Sequence, residues 1–308
     1  MDELAEAAVD AINAITGEHE GHRAAHAKGT LLRGTFTGSG SGLTSAAHMG
    51  ERSVAVTARF SNGGGEPAIP DYAKEGRGLA VKFYLPDGSR TDVVALSLPC
   101  FFARTPEDFL DFTRARKPDP ETGQPDFEKI GAWLQDHPEA GPAIQAAVTA
   151  DPPESYANVT YNSIHAFRWI ATDGTERWVR YSFEPEAGEK TIPADEAKSR
   201  GRDYLQEEIV ARDVAAFRMV VTIAEEGDLV DDPTVAWPAE RERVEVGRLE
   251  LSGADTERER DGDILVMDPT RVTEGIELSD DPILRFRPRA YAVSVTRRTG
   301  APAPAPVA

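Results

Sequence analysis

Histidine is the side chain best suited to take and return a proton near neutrality, because an unperturbed imidazole titrates at about 6.5. This chain has six: His19, His22, His26, His48, His137 and His165. His22 and His26 stand four apart, a spacing that sets two zinc ligands on one helical face, but the residue after His22 is Arg23, where that motif requires glutamate. A cation there disfavours a metal. Gly17, Gly21 and Gly29 also argue against one helix through His19, His22 and His26. The single cysteine, Cys100, permits no internal disulfide and no multi-cysteine zinc site, and it reads as a small buried apolar residue. His26 is distinguished by its neighbours. The string RAAHAKGTLLRGTF sets Arg23 and Lys28 around it, then Gly29, then a strand, so the imidazole would stand at a strand's entrance among cations. By itself such a histidine is more often a surface or satisfied core residue than a catalyst. Near the other end, ILRFRPRAYAVSVTRR carries Arg285, Arg287, Arg289, Arg297 and Arg298 with no acid, which is either a solvated basic face or the surroundings of a bound anion.

The elements that must position these residues follow from composition and periodicity. With 308 residues, 40% of them hydrophobic and 28% charged, the chain can bury a sizeable core as one large domain or two small ones. Its formal charge of −19 repels phosphate backbones, which makes nucleic acid an unsuitable partner. No apolar run is long enough to span a bilayer, and MDELAEAAVDAINAITG has acids where a secretory signal carries bases, so a cytoplasmic protein with no membrane partner is expected. Residues 2–16 predict an amphipathic helix ending at Gly17. Four strand-like runs precede Pro99, two of them joined at Pro86, Asp87 and Gly88. TPEDFLDFTRAR predicts a helix with Thr105 as N-cap and Pro106 at its first position. More helix is expected between about 126 and 150, broken near Pro138 and Pro142. IHAFRWIATDG and ERWVRYSFEP then predict a hairpin turning at Asp173 and Gly174, and AFRMVVTIA and VEVGRLELS two further strands. The helical run between them, EAKSRGRDYLQEEIVARDVAAF, is weakened at Gly201. The fold class is therefore α+β: an eight-stranded antiparallel β-barrel with helical insertions and a wrapping C-terminal segment, a sandwich being the alternative. A single domain over 1–298 is expected, followed by a disordered Pro/Ala tail over 299–308.

Six separated strings together carry a resemblance: RAAHAKG at 23–29, ARFSNGGGE at 58–66, GRGLAVKFYLPDG at 76–88, PCFFARTPEDFLDF at 99–112, VGRLEL at 246–251 and RPRAY at 287–291. In order and character they are similar to the haem catalases, in particular the short catalase-related peroxidases, over roughly residues 20–300. The resemblance implies haem b as cofactor, with its iron bound by Tyr291. A phenol titrates near 10, so it binds as phenolate only where iron and a cation favour the anion. Arg287 matches the family's arginine for that task, although Pro288 biases its neighbour away from helical angles and leaves the geometry open. His26 matches the distal histidine that shuttles a proton between the two oxygens of a peroxide, and Ser61 the serine that orients it. Arg23, Arg59 and Arg298 match the partners of the haem propionates, for which forked guanidinium groups are suited. Phe109 matches an aromatic on the distal haem face, while its helical spacing with Phe112 also fits plain core.

One departure bears on activity. Aligning the family's LVGNNTP with VVALSLP puts Leu96 where a distal asparagine stands and Ser97 where a second one does. Leucine cannot donate a hydrogen bond to a peroxide that serves as reductant. The implied function is a haem peroxidase that reduces hydrogen peroxide or organic hydroperoxides with a small organic donor and has weak catalase activity. The alternatives are a true catalase or an enzyme rearranging fatty-acid hydroperoxides on the same scaffold. A haem carrier without activity has no need of a paired histidine and serine. His26 lies 25 residues from the start, so the resemblance implies a core without the long amino-terminal arm of large catalases, hence a monomer or small homo-oligomer with a more open pocket.

Overall fold

A computed structural model describes residues 2–255 and 264–300. Helix α1 (Glu3–Thr16) is capped by the Asp2 carboxylate and stops at Gly17, whose φ of 86° is left-handed. β1 (Gly29–Gly38), β2 (Val54–Asn62), β3 (Arg77–Tyr84) and β4 (Arg90–Leu96) then form an antiparallel meander. The helical insertion contains α2 (Pro106–Ala115), α3 (Phe127–Asp136) and α4 (Gly141–Thr149). In α2 the Thr105 side chain and the Asp108 carboxylate close a reciprocal capping box. Pro138 sits between α3 and α4 as expected, whereas Pro142 lies in the first turn of α4, where its missing N–H costs nothing.

The second half supplies β5 (Tyr161–Asn162), β6 (Phe167–Ile170), β7 (Glu176–Pro185), α5 (Ala194–Ser199), α6 (Tyr204–Ala211), β8 (Ala215–Ile223) and β9 (Arg243–Ala254). Gly201, at φ 105°, separates α5 from α6. β9 pairs with both β8 and β1, and β7 pairs with β8 on one edge and β5 on the other. These pairings close an eight-stranded antiparallel barrel and remove the sandwich alternative. The eight are not quite those expected. β6 forms the predicted hairpin with β7 but carries β10 (Ile276–Leu278) outward, and the ring position falls to the two-residue β5. Two residues are too few to show a strand's alternation.

Alternate residues of β3, Leu79, Val81 and Phe83, point into the barrel, where Phe60 stacks on Tyr156 with ring centres 5.4 Å apart beside Tyr161 and Phe217. Side chains therefore fill the interior, and a large ligand must bind outside it. The outward-facing Ala80 and Val94 are covered by Leu265 and Met267 of the segment after β9. That segment is clamped by Asp92, which accepts from Lys82 Nζ at 2.6 Å, from the Asp268 amide at 2.9 Å and from Arg271.

The chain then enters α7 (Pro282–Thr299), capped by Asp281 and packed with Phe286 against Ala5 and Ala8 of α1. Pro288 neither begins nor ends this helix. The helix runs through it, so the local bias on Arg287 is overridden. Thr299 ends α7 and Gly300 caps it at φ 64°, so the tail expected from 299 begins with ordered helix end, and 301–308 lie outside the described residues. Among the described residues no helix is long and apolar enough to cross a membrane.

Candidate active site

His26 stands three residues before β1 and is the non-glycine residue, among those described, with a left-handed φ, 55°. Its backbone is held from two sides. The His26 and Ala27 amides donate to the carbonyls of Gly63 and Gly64 at 3.1 and 3.0 Å, and Arg59 Nη1 donates to the His26 carbonyl at 2.8 Å. Lys28, two residues on, is buried and its Nζ lies 2.8 Å from Asp71 and 2.6 Å from Asp203. The cation that sequence sets beside His26 thus anchors the strand entrance and points elsewhere. His26 Nδ1 is 2.9 Å from Ser61 Oγ, which brings together the predicted pair.

A third strand fits around that pair. Gly78 is the register partner of Ser61, and a Cβ there would come within 2.8 Å of Ser61 Oγ and 3.0 Å of the His26 ring. Leu96 is in turn the partner of Gly78 on β4, one strand further from the pair. Burial, then the charges of Arg59, Arg287 and Arg23, depress the His26 pKa to about 3, so its imidazole is neutral.

The second group of predicted residues meets on α7. Arg287 Nε donates to Tyr291 Oη at 2.8 Å, one turn along the helix. The same guanidinium reaches His165 Nε2 at 2.9 Å through Nη1, and His165 Nδ1 is 2.6 Å from Asp281 Oδ2. Arginine only donates, so Nε2 must accept and the imidazole proton sits on Nδ1, directed at the Asp281 carboxylate. Burial holds the His165 pKa below its usual value, against the pull of Asp281. Asp281 uses its other oxygen to cap α7. Nothing in the sequence marks His165 or Asp281, since they are 116 residues apart.

Arg23 and Arg298 converge from opposite ends of the chain. Both donate to the Leu265 carbonyl, at 3.0 and 3.2 Å, and both line a cleft of about 520 Å³ with Ala24 and Ser294. Arg59 also donates to the Ala27 carbonyl at 3.1 Å, which makes it a brace for the His26 loop. Phe109 packs in a small cluster with Ala5, Ala8 and Phe286, and its ring stacks on Phe101 at 6.2 Å. His19, once a candidate for a metal cluster, binds the Thr16 carbonyl and faces Glu66 at 3.5 Å.

Residues 6–304 match the family model described as Catalase. The chain belongs to the catalase family. It is 44% identical to the catalase-related peroxidase of Mycolicibacterium paratuberculosis over 95% of this chain and 94% of that protein. A catalase-related peroxidase of Synechococcus elongatus is 35% identical over 94% and 87%, and the catalase of Latilactobacillus sakei 30% identical over 91% and 62%. A crystal structure of a fungal catalase superposes with a TM-score of 0.80 at 24% identity, covering 92% of this chain and 61% of that one.

The family implies haem, and the residues present suit it. A phenol that receives a hydrogen bond from a half-buried arginine, itself held by the buried His165 and Asp281, suits ferric iron, and two arginines gathered beside a cleft suit a pair of carboxylates.

Proposed function

We propose that this catalase-family enzyme, a peroxide-reducing haem protein, works chiefly as a peroxidase: it binds haem b through Tyr291 and draws electrons from a small organic donor. Bound haem supplies the two-electron redox chemistry with peroxide. The remaining work falls to side chains. Tyr291 holds the iron as a phenolate, with Arg287 donating to the same oxygen, and His165 and Asp281 fix the direction in which that guanidinium points. Arg23 and Arg298 would receive the propionates, Arg59 would brace the His26 loop beside them, and Phe109 would pack against the haem.

On the distal side the neutral His26 takes the proton of a peroxide at Nε2 while Ser61 holds Nδ1, then delivers it to the leaving oxygen. The anionic groups of bound haem would offset the cations that now depress this histidine. Leu96 offers no hydrogen bond to a second hydrogen peroxide, so catalatic oxygen release is weak and donor oxidation dominates. A small assembly in the cytoplasm is part of the same reading.

The observation that carries the proposal is the Arg287 to Tyr291 hydrogen bond, because it brings a guanidinium held by the His165–Asp281 pair onto the tyrosine oxygen proposed to bind iron. The test is the visible spectrum of the purified protein: Tyr291→Phe is expected to lose or shift the Soret band, and an unchanged band in that variant overturns the ligand assignment.

A further inference from the structure

Asp71, in the loop between β2 and β3, is fully buried, and its two carboxylate oxygens serve two groups of donors. Oδ2 takes the Leu205 and Gln206 amides at 2.8 and 3.3 Å, first-turn donors of α6 to which the N-cap residue Asp203 offers no side-chain bond. Oδ1 takes Asn62 Nδ2 and Lys28 Nζ, each at 2.8 Å. These two belong to the immediate surroundings of the proposed catalytic pair. Asn62 follows Ser61, Lys28 stands two residues after His26, and the Asn62 amide donates to the Lys28 carbonyl at 3.0 Å, so one carboxylate ties both segments a step beyond the pair. The direction of each bond is fixed as well. Thr30 donates to Gln206 Oε1, Gln206 Nε2 donates to Tyr156 Oη at 2.5 Å, and the tyrosine hydrogen therefore goes to Asn62 Oδ1 at 2.6 Å. Asn62 can then offer Asp71 only its N–H.

His26 holds a left-handed φ of 55°, a conformation that a residue with a side chain keeps only where its neighbours over-determine it. Lys28 and the carbonyls of Gly63 and Gly64, which follow Asn62 in the chain, are among those neighbours. Side chains alternate along β2, so Asn62 grips the interior of the barrel while Ser61 faces His26. We propose that Asp71 is a positioning residue for the His26–Ser61 pair, acting through Lys28 on the left-handed turn and through Asn62 on the strand that carries Ser61. This rests on the peroxide-reducing function above. In Asp71→Ala neither group of donors keeps its acceptor, whereas Lys28→Met severs the His26 side alone and leaves the α6 amides bonded.

The experiment is a double-substitution cycle on the rate at which hydrogen peroxide reacts with the ferric holoenzyme, read by stopped flow in the wild type, Asp71→Ala, Ser61→Ala and the two combined. Asp71→Ala is expected to slow the reaction about tenfold, the cost of a displaced catalytic group, and to slow Ser61→Ala further by no more than about twofold. A role confined to stability makes the two losses multiply, and full multiplication would overturn the proposal. Should Asp71→Ala not fold, Lys28→Met carries the same cycle with α6 still capped. Nitrogen NMR of the full-length chain without haem, labelled in histidine, reads the pair independently of any activity. Asp71→Ala and Lys28→Met are expected to shift the His26 ring nitrogens in the direction that Ser61→Ala shifts them, and signals that stay at the wild-type position would overturn the proposal. If the holoenzyme consumes no peroxide the function fails, yet the nitrogen signals still decide whether Asp71 positions the pair.

Discussion

Arg287 Nε donates to Tyr291 Oη at 2.8 Å although a proline stands between them in the helix. The contact requires α7 to run unbroken through Pro288, because only the helical spacing of four stacks the two side chains on one face. What keeps Arg287 in place is outside the helix: His165 accepts from its other nitrogen, and Asp281 fixes that imidazole's tautomer. The four side chains form one relay that ends on the oxygen proposed to bind iron.

Breaking the relay at its far end should be felt at the near end. Asp281→Asn replaces an acceptor that demands an Nδ1 proton with one that does not, so His165 can flip its tautomer and lose the Arg287 bond. The expected result is a shifted Soret band and haem loss at least several-fold faster, with helix content by circular dichroism retained. A spectrum and haem off-rate identical to the wild type would mean that the relay does not reach Tyr291.

Gly78 should matter as much as a catalytic side chain despite having none. In Gly78→Ala the new Cβ would meet Ser61 Oγ and the His26 ring at 2.8 to 3.0 Å, so the pair must move. A displacement of this kind costs roughly tenfold to a hundredfold in rate. Stopped-flow measurement of the reaction with peroxide should find Gly78→Ala as slow as Ser61→Ala, while the Soret band stays in place. Wild-type kinetics in Gly78→Ala would show that the pair can shift without consequence.

Acid should destabilise the fold earlier than surface carboxylates alone would cause. Burial keeps His26, at about 3, and His48, at about 4, neutral in the folded protein, and it holds His165 below its usual value as well. In the unfolded chain these imidazoles take up protons near 6.5. The stability they contribute is therefore complete above about pH 6.5 and is lost as the pH falls towards the folded values, at about 1.4 kcal/mol per group and pH unit. Chemical denaturation of the haem-free protein at pH 7.5 and 5.5 checks this; equal midpoints would contradict it.

Leu96 provides a test of the balance between the two activities. Leu96→Asn restores a donor beside Gly78 and should raise oxygen release from hydrogen peroxide by roughly tenfold relative to donor oxidation. An oxygen electrode run beside a dye-oxidation assay reads both rates. No change in their ratio would remove Leu96 from the account.

Local signals in the sequence were strong where a few adjacent residues decide the structure. Thr105, Pro106 and Asp108 start α2 as their types require, and Asp173 and Gly174 turn the β6 to β7 hairpin. Ser61 and His26 could be paired only through the resemblance, since their contact depends on β1 lying beside β2 with Gly29 opposite Ser61. Three features were not legible. β5 is too short for a pattern, and Pro288 pointed to a break that packing of α7 against α1 overrides. The His165 to Asp281 contact depends on where the wrapping segment delivers residue 281, which Asp92 decides through Arg271 and the Asp268 amide.

The account rests most heavily on His26 as the proton carrier, and one rate tests it directly: the second-order reaction of hydrogen peroxide with the ferric holoenzyme of His26→Ala, measured by stopped flow in a preparation whose Soret band matches the wild type. A fall of about a hundredfold to ten-thousandfold is expected. A rate equal to the wild type would contradict the assignment and return the protein to the reading of a haem carrier.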